Sequence, residues 1–156
     1  MSLYALLKTL HVLAVVLWVG GMVFAHFFLR PSLAVLPPPQ RLVLMHAVLG
    51  RFFAAVAVAV AVVVASGLWM VGRVARQAVA GGGSFAWPLD WSVMTVLGLV
   101  MAAVFVFIRL APYRRFARAV QAEAWPEAGA ALADVRRWVM VNLVLGVVVI
   151  VVATLV

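Results

Sequence analysis

The chain has 156 residues, of which 69% are hydrophobic and 10% are charged, and its formal net charge is +8 at pH 7. Soluble domains are nearer half apolar, so this composition, gathered into four apolar blocks, predicts an integral membrane protein. No cysteine is present, which excludes disulfides, dithiol redox chemistry and thiolate metal sites. None of the four acidic residues lies in the interior of an apolar block, which argues against a carboxylate metal centre: Asp90, Glu123, Glu127 and Asp134.

The first apolar span, about residues 3–29, carries a polar stripe along one face. At about 100° per residue, the stripe falls within an arc of roughly 80° of a helix. Ionisable groups at membrane depth are costly, so we expect this face to point into a bundle and to mark a functional site. The stripe consists of Tyr4, Lys8, His11, Trp18, Met22 and His26.

Three further apolar spans follow the first. A triple proline, Pro37 to Pro39, separates the first two spans, and we expect it to be a rigid break that cannot be helical. A glycine-rich loop at residues 81–84 precedes the third span. The second, third and fourth spans cover about residues 41–72, 89–110 and 137–156.

The segment between the third and fourth spans has a different pattern. Residues 112–134 mix arginines with apolar residues, which predicts an amphipathic helix, broken near Pro126, that lies on the cytoplasmic membrane surface. Arginines also crowd the loop after the first span, whereas the opposite side holds only Lys8, Arg73 and Arg76. By the positive-inside rule, the arginine-rich loops are cytoplasmic, so both termini are expected in the periplasm of a bacterial inner membrane.

The short connections favour an antiparallel bundle of four transmembrane helices, an all-α membrane protein with one domain over residues 1–156. Arginines that flank membrane spans meet anionic lipids, so the net charge does not point to a nucleic-acid partner. Gly20 and Gly21 are expected to form a close helix contact, either within the bundle or in a homodimer.

The three histidines are the strongest candidates for ligands. His11 and His26 lie 15 residues apart, about 22 Å along a helix, so they cannot bind the same ion. His26 follows Met22 by one turn, and His46 adjoins Met45 on the same predicted side, so His26 and His46 could meet as a metal site. The alternatives are interfacial histidines at both sides and, near His11, a snorkelling Lys8.

Two further polar residues complete the candidate cofactor-binding set. Asn142 is the strongly polar side chain inside the fourth span, where an amide bonds either a neighbouring helix or a bound group. Arg51 follows His46 by five residues. Ser66 is expected only to return a hydrogen bond to its own helix.

The segment from Lys8 to Met22, with Lys8, His11, Trp18 and Gly20–Gly21, resembles the first helix of the copper-resistance protein D (CopD) family. Pro112–Arg115 and Arg136–Asn142 resemble later parts of that family. The resemblance implies copper handling in a membrane.

The Lys-x-x-His and Trp-x-x-Gly patterns are also similar to a related family, the HemJ-type protoporphyrinogen oxidases. That resemblance implies four helices, a b-type haem and an oxidoreductase activity, with Lys8 and His11 at the haem site. The family also carries histidine and lysine at the start of its third helix, whereas residues 91–97 here contain neither.

Three functions therefore follow from the sequence. The first is a membrane protein that binds copper or haem b through its histidines, for metal handling or transmembrane electron transfer. The second is a HemJ-like haem-dependent oxidase, and the third is a non-catalytic assembly module.

Overall fold

The computed structural model describes residues 2–84 and 87–155, apart from the side chain of Asp90, and this part of the chain contains helices and no strand. Val156, the predicted end of the fourth span, lies outside the described residues. The principal helices are α1 (Leu3–Val23), α2 (Arg30–Ser32), α3 (Pro38–Ala80), α4 (Leu89–Leu110), α5 (Pro112–Gln121) and α6 (Trp125–Leu155). A π-helical turn, Phe24–Leu29, joins α1 to α2, and a 3-10 turn, Leu33–Val35, follows α2.

Four segments are long and apolar enough to cross a membrane, which confirms the predicted all-α, four-span fold. They are Leu3–Val35, Pro38–Ala80, Trp91–Gln121 and Trp125–Leu155.

The helices pack as antiparallel pairs, α1 against α3 and α4 against α6. In the first pair, His11 contacts Ser66 while Gly21, further along α1, contacts Phe52, earlier on α3. In the second pair, contacts join Met101 to Gly146 and residue 107 to residue 138, again in opposite order. In both antiparallel pairs, therefore, residues at about equal distances along the chain from the connecting turn lie at the same height in the bundle.

The core lies towards the arginine-rich end of the bundle. Phe105 of α4 meets Trp18 edge-on at 6.2 Å between ring centroids and Phe53 at 6.0 Å, and Phe53 meets Tyr113 at 5.1 Å. By contrast, most residues of α1 before Trp18 are exposed or half-buried. Lipid is as apolar as these side chains, so close van der Waals packing, rather than escape from water, holds the core together.

The triple proline separates the first two spans as expected, but two of its three prolines are helical. Pro37 precedes α3, and Pro38 and Pro39 form its first turn. The reason is that the first amides of a helix have no acceptor within it, so a missing N–H costs nothing there. The first bond of α3 runs instead from the Arg41 N–H to the Pro37 carbonyl, 3.0 Å.

Residues 112–134 are interrupted close to Pro126, as expected, but the helices on either side of the break do not form a separate amphipathic segment. The helix α5 ends at Gln121, the chain turns at Glu123 with φ of 53°, and α6 begins at Trp125 rather than at residue 137. The apolar face of α5 packs against α6 and α3 instead of lipid, so that Phe116 is fully buried.

Candidate functional site

The polar stripe of the first span faces the bundle at all but one of its positions. Trp18 and Met22 are buried, and Tyr4, His11 and His26 are half-buried. Lys8 is the exception because it is exposed. Lys8 therefore does not share the burial of the rest of the stripe, although it lies on the same helix face.

His11 has a defined hydrogen-bond partner on α3. Its Nδ1 lies 2.9 Å from the hydroxyl of Ser66, which is 4% exposed. The same hydroxyl bonds the carbonyl of Val62 and lies 3.3 Å from that of Val63. Since a serine has one proton to donate, and carbonyls can only accept it, the hydroxyl accepts from Nδ1–H. Nε2 of His11 then carries the lone pair. A neutral imidazole with one free ring nitrogen is the form that binds metals.

Gly67 of α3 lies beside the His11 ring. A Cβ atom at Gly67 would lie 3.4 Å from Cε1 of His11. Towards the end of the same helices, the Arg73 guanidinium lies over the rings of Tyr4 and Trp69, at 5.5 and 5.6 Å. This half of the bundle thus combines an imidazole with aromatic and cationic groups.

His46 lies in an aromatic cluster between α3 and α5. Its ring stacks on Tyr113 at 6.0 Å and meets Phe116 edge-on at 6.0 Å. The Tyr113 hydroxyl donates a long hydrogen bond, 3.5 Å, to the His46 carbonyl. Through these contacts, His46 packs α3 against α5.

His26 lies in the π-helical turn and meets Phe27 edge-on at 4.9 Å. It lies within electrostatic range of Arg30 and Arg136. The contact of Gly21 with Phe52 places His26 and His46 at similar levels of the antiparallel pair, but the ring contacts of each involve other residues. Their pairing in a metal site stays a prediction.

The predicted methionine ligands Met22 and Met45 are both buried in the core, 2% and 3% exposed. Within residues 2–84 and 87–155, and leaving aside the side chain of Asp90, no group of three or more histidines and carboxylates is close enough to hold a metal ion. A closed metal cage of these ligands is therefore not part of the described chain.

Asn142 is 1% exposed, and its side-chain oxygen has no hydrogen-bond partner. One turn further along α6, a Cβ atom at Gly146 would meet Val19 at 3.0 Å and Met101 at 3.1 Å. This face of α6 therefore points between α1 and α4, in the packed half of the bundle. Arg51, by contrast, is exposed on α3.

Ser66 is the site residue whose role the sequence analysis missed. It does bond its own helix, as expected, but it also holds His11. The sequence contains a usable indication, since His11 and Ser66 lie equally far from the turn at Pro38–Pro39. Residues at equal distances from the turn of an antiparallel hairpin are level with each other.

A family model for copper resistance protein D matches residues 46–156, more than two thirds of the chain. The chain belongs to the copper resistance protein D family. Comparisons with curated proteins and with solved structures gave no significant match.

The matched stretch of this CopD-family chain contains His46, Ser66 and Asn142. It does not contain α1, so Lys8 and His11, which carry the resemblance noted in the first span, lie outside it. Family membership thus rests on the last three spans, and the candidate ligand His11 comes from the helix that packs against them.

Proposed function

We propose that this CopD-family membrane protein binds copper in the half of the bundle opposite the arginine-rich end, with His11 as a ligand, and handles the metal in a bacterial inner membrane. The observation that carries the proposal is the hydrogen bond between Nδ1 of His11 and Ser66. Metal-binding histidines characteristically donate the other ring N–H to a fixed acceptor, which sets the tautomer and the ring orientation.

The donor types near His11 suit copper. Imidazole binds copper well, and the soft thioether of methionine favours Cu(I). Met70 lies one turn after Ser66 on α3 and is half-buried. Because a transported ion must also leave its site, an incomplete ligand set supports transit of copper better than a closed cage would.

The structure supports copper over haem. Two cavities of about 360 and 480 Å³ lie at the arginine-rich end, and no histidine lines either of them. His11 lies at the other end and rests against Ser66 and Gly67 of α3. His46, the other candidate axial ligand, is stacked on Tyr113.

The proposal predicts that His11 contributes to copper affinity and that His46 does not. The full chain, purified in detergent, is titrated with Cu(I) against a chromogenic chelator, with each histidine replaced by glutamine in turn. His11→Gln should lose tenfold or more in affinity, whereas His46→Gln should change it by less than about twofold, because His46 packs against α5. Ser66→Ala should cost about tenfold, since second partners of metal ligands contribute 10- to 100-fold.

Ser92→Ala is the matched control, because the Ser92 hydroxyl bonds the carbonyl of Pro88, four residues earlier in the chain, and not a histidine. Equal losses at all three histidines, or a wild-type chain that takes up no copper, would contradict the proposal. An absorption spectrum from 350 to 700 nm on the same sample gives a second test. A Soret band in the purified protein would show that the protein binds haem, and the copper proposal would then be replaced by a haem proposal.

A further inference from the structure

Three arginines from separate segments lie within electrostatic range at one end of the bundle. Arg136 of α6 lies within electrostatic range of Arg30 in α2 and of Arg41 in α3. Arg30 is exposed, and the other two are half-buried. His26, in the preceding π-helical turn, lies within range of Arg30 and Arg136. The cluster therefore gathers three positive charges and an imidazole.

No carboxylate neutralises this cluster among the side chains that the structure describes. The ion pair seen among the described side chains lies outside the cluster and joins Arg115 of α5 to Asp134 of α6 at 3.2 Å. The Nε atoms of Arg41 and Arg136 are buried and have no hydrogen-bond partner. Arg41 satisfies another of its donors through the carbonyl of Leu36, 3.0 Å from Nη2.

Separate interfacial arginines would not produce this arrangement. A long arginine side chain at a membrane surface extends its guanidinium into water, where every donor is solvated. Here the Nε atoms of Arg41 and Arg136 are buried without a partner, and both guanidinium groups remain within electrostatic range of each other. An anion with several acceptor oxygens would satisfy the buried donors and offset the repulsion.

We propose that Arg30, Arg41 and Arg136 form a binding site for a phosphate group, carried by an anionic phospholipid or free in solution. The planar guanidinium fork matches phosphate oxygens, and such charge-assisted bonds are the strong ones. The site lies at the end of the bundle that the arginine distribution assigns to the cytoplasmic leaflet, where anionic headgroups are found. This site is separate from His11 and does not depend on copper binding.

The test uses the full chain, stripped of lipid in detergent, and isothermal titration with three probes. They are dioctanoyl phosphatidylglycerol, inorganic phosphate, and dioctanoylglycerol, which has the acyl chains but no phosphate. Arg136→Gln and Arg30→Gln should each weaken binding of the phosphate-bearing probe about tenfold. Arg137→Gln, an exposed neighbour with the same change of charge, should stay within twofold.

Binding of phosphatidylglycerol alone would identify a headgroup site, and comparable binding of inorganic phosphate would identify a site for free anions. Both results support the proposal. Equal binding of dioctanoylglycerol, no binding of either phosphate-bearing probe, or equal losses in Arg136→Gln and Arg137→Gln would overturn it. If Arg136→Gln does not fold, Arg30→Gln decides, because Arg30 is exposed.

Discussion

The buried amide of Asn142 allows a test of whether this residue serves stability or function. Its side-chain oxygen has no partner, and a buried polar atom without one costs about 1–3 kcal/mol. We expect Asn142→Leu, of similar volume and without polar atoms, to raise the free energy of unfolding by about that amount. The measurement is SDS-induced unfolding in mixed micelles.

Gln121→Leu is the control for that measurement, because Gln121 is an exposed amide whose loss removes no buried polar atom. Loss of stability in Asn142→Leu, relative to this control, would show that the amide makes a stabilising bond in the membrane. A stabilised variant that no longer handles copper would instead show that Asn142 is retained for function.

At the residue scale, the sequence predicted the inward stripe well because ionisable groups are costly in contact with lipid and therefore face the bundle interior. It misplaced Lys8 because an angular arc does not say where the neighbouring helix touches. Arg30, Arg41 and Arg136 could not be grouped from the sequence, since their approach depends on the π-helical turn and on the early start of α6.

At the scale of elements, Gly20 and Gly21 have opposite surroundings. A Cβ atom at Gly21 would overlap the Phe52 ring, whereas nothing lies within 4 Å of one at Gly20. The predicted close helix contact is therefore made by Gly21 within the bundle, and Gly20 leaves a free surface for a second copy. Homodimerisation through Gly20 stays a prediction.

We expect Gly21→Ala to destabilise the chain by about 1–3 kcal/mol, because Phe52 must move to admit the methyl group. Gly20→Ala should be neutral or stabilise by up to about 1 kcal/mol, since alanine is the better helix former. Unfolding in mixed micelles compares the two variants. Equal stability of both would mean that Phe52 moves freely and that the α1–α3 contact is loose.

The helix boundaries show where hydropathy stops being informative. The predicted second span ends near residue 72 because Arg73 and Arg76 follow, but α3 continues to Ala80. Arg73 lies within α3, and its guanidinium is over the rings of Tyr4 and Trp69. Hydropathy locates the membrane-spanning part of a helix, whereas the helix itself ends only at Gly81, where glycines replace helix formers.

At the scale of the whole molecule, the two ends of the bundle differ in packing. The arginine-rich end contains the aromatic core of Trp18, Phe53, Phe105 and Tyr113, whereas at the other end the residues of α1 before Trp18 are exposed or half-buried. A metal that enters and leaves needs an open site, and a lipid anchor needs a fixed one. The difference in packing therefore supports copper near His11 and phosphate near Arg136.

The orientation of the bundle is the remaining prediction, and the absence of cysteine makes it testable with single reporters. Ser84 and Gln121 are both exposed and lie on opposite sides of the predicted topology. Because arginines hold their loops in the cytoplasm, Ser84→Cys should react with a membrane-impermeant maleimide in intact spheroplasts, and Gln121→Cys only after permeabilisation. The cysteine-free chain gives the background. The reverse labelling pattern would place the arginine-rich end, and with it the phosphate site, on the outer face, because the side of every loop follows from these two positions.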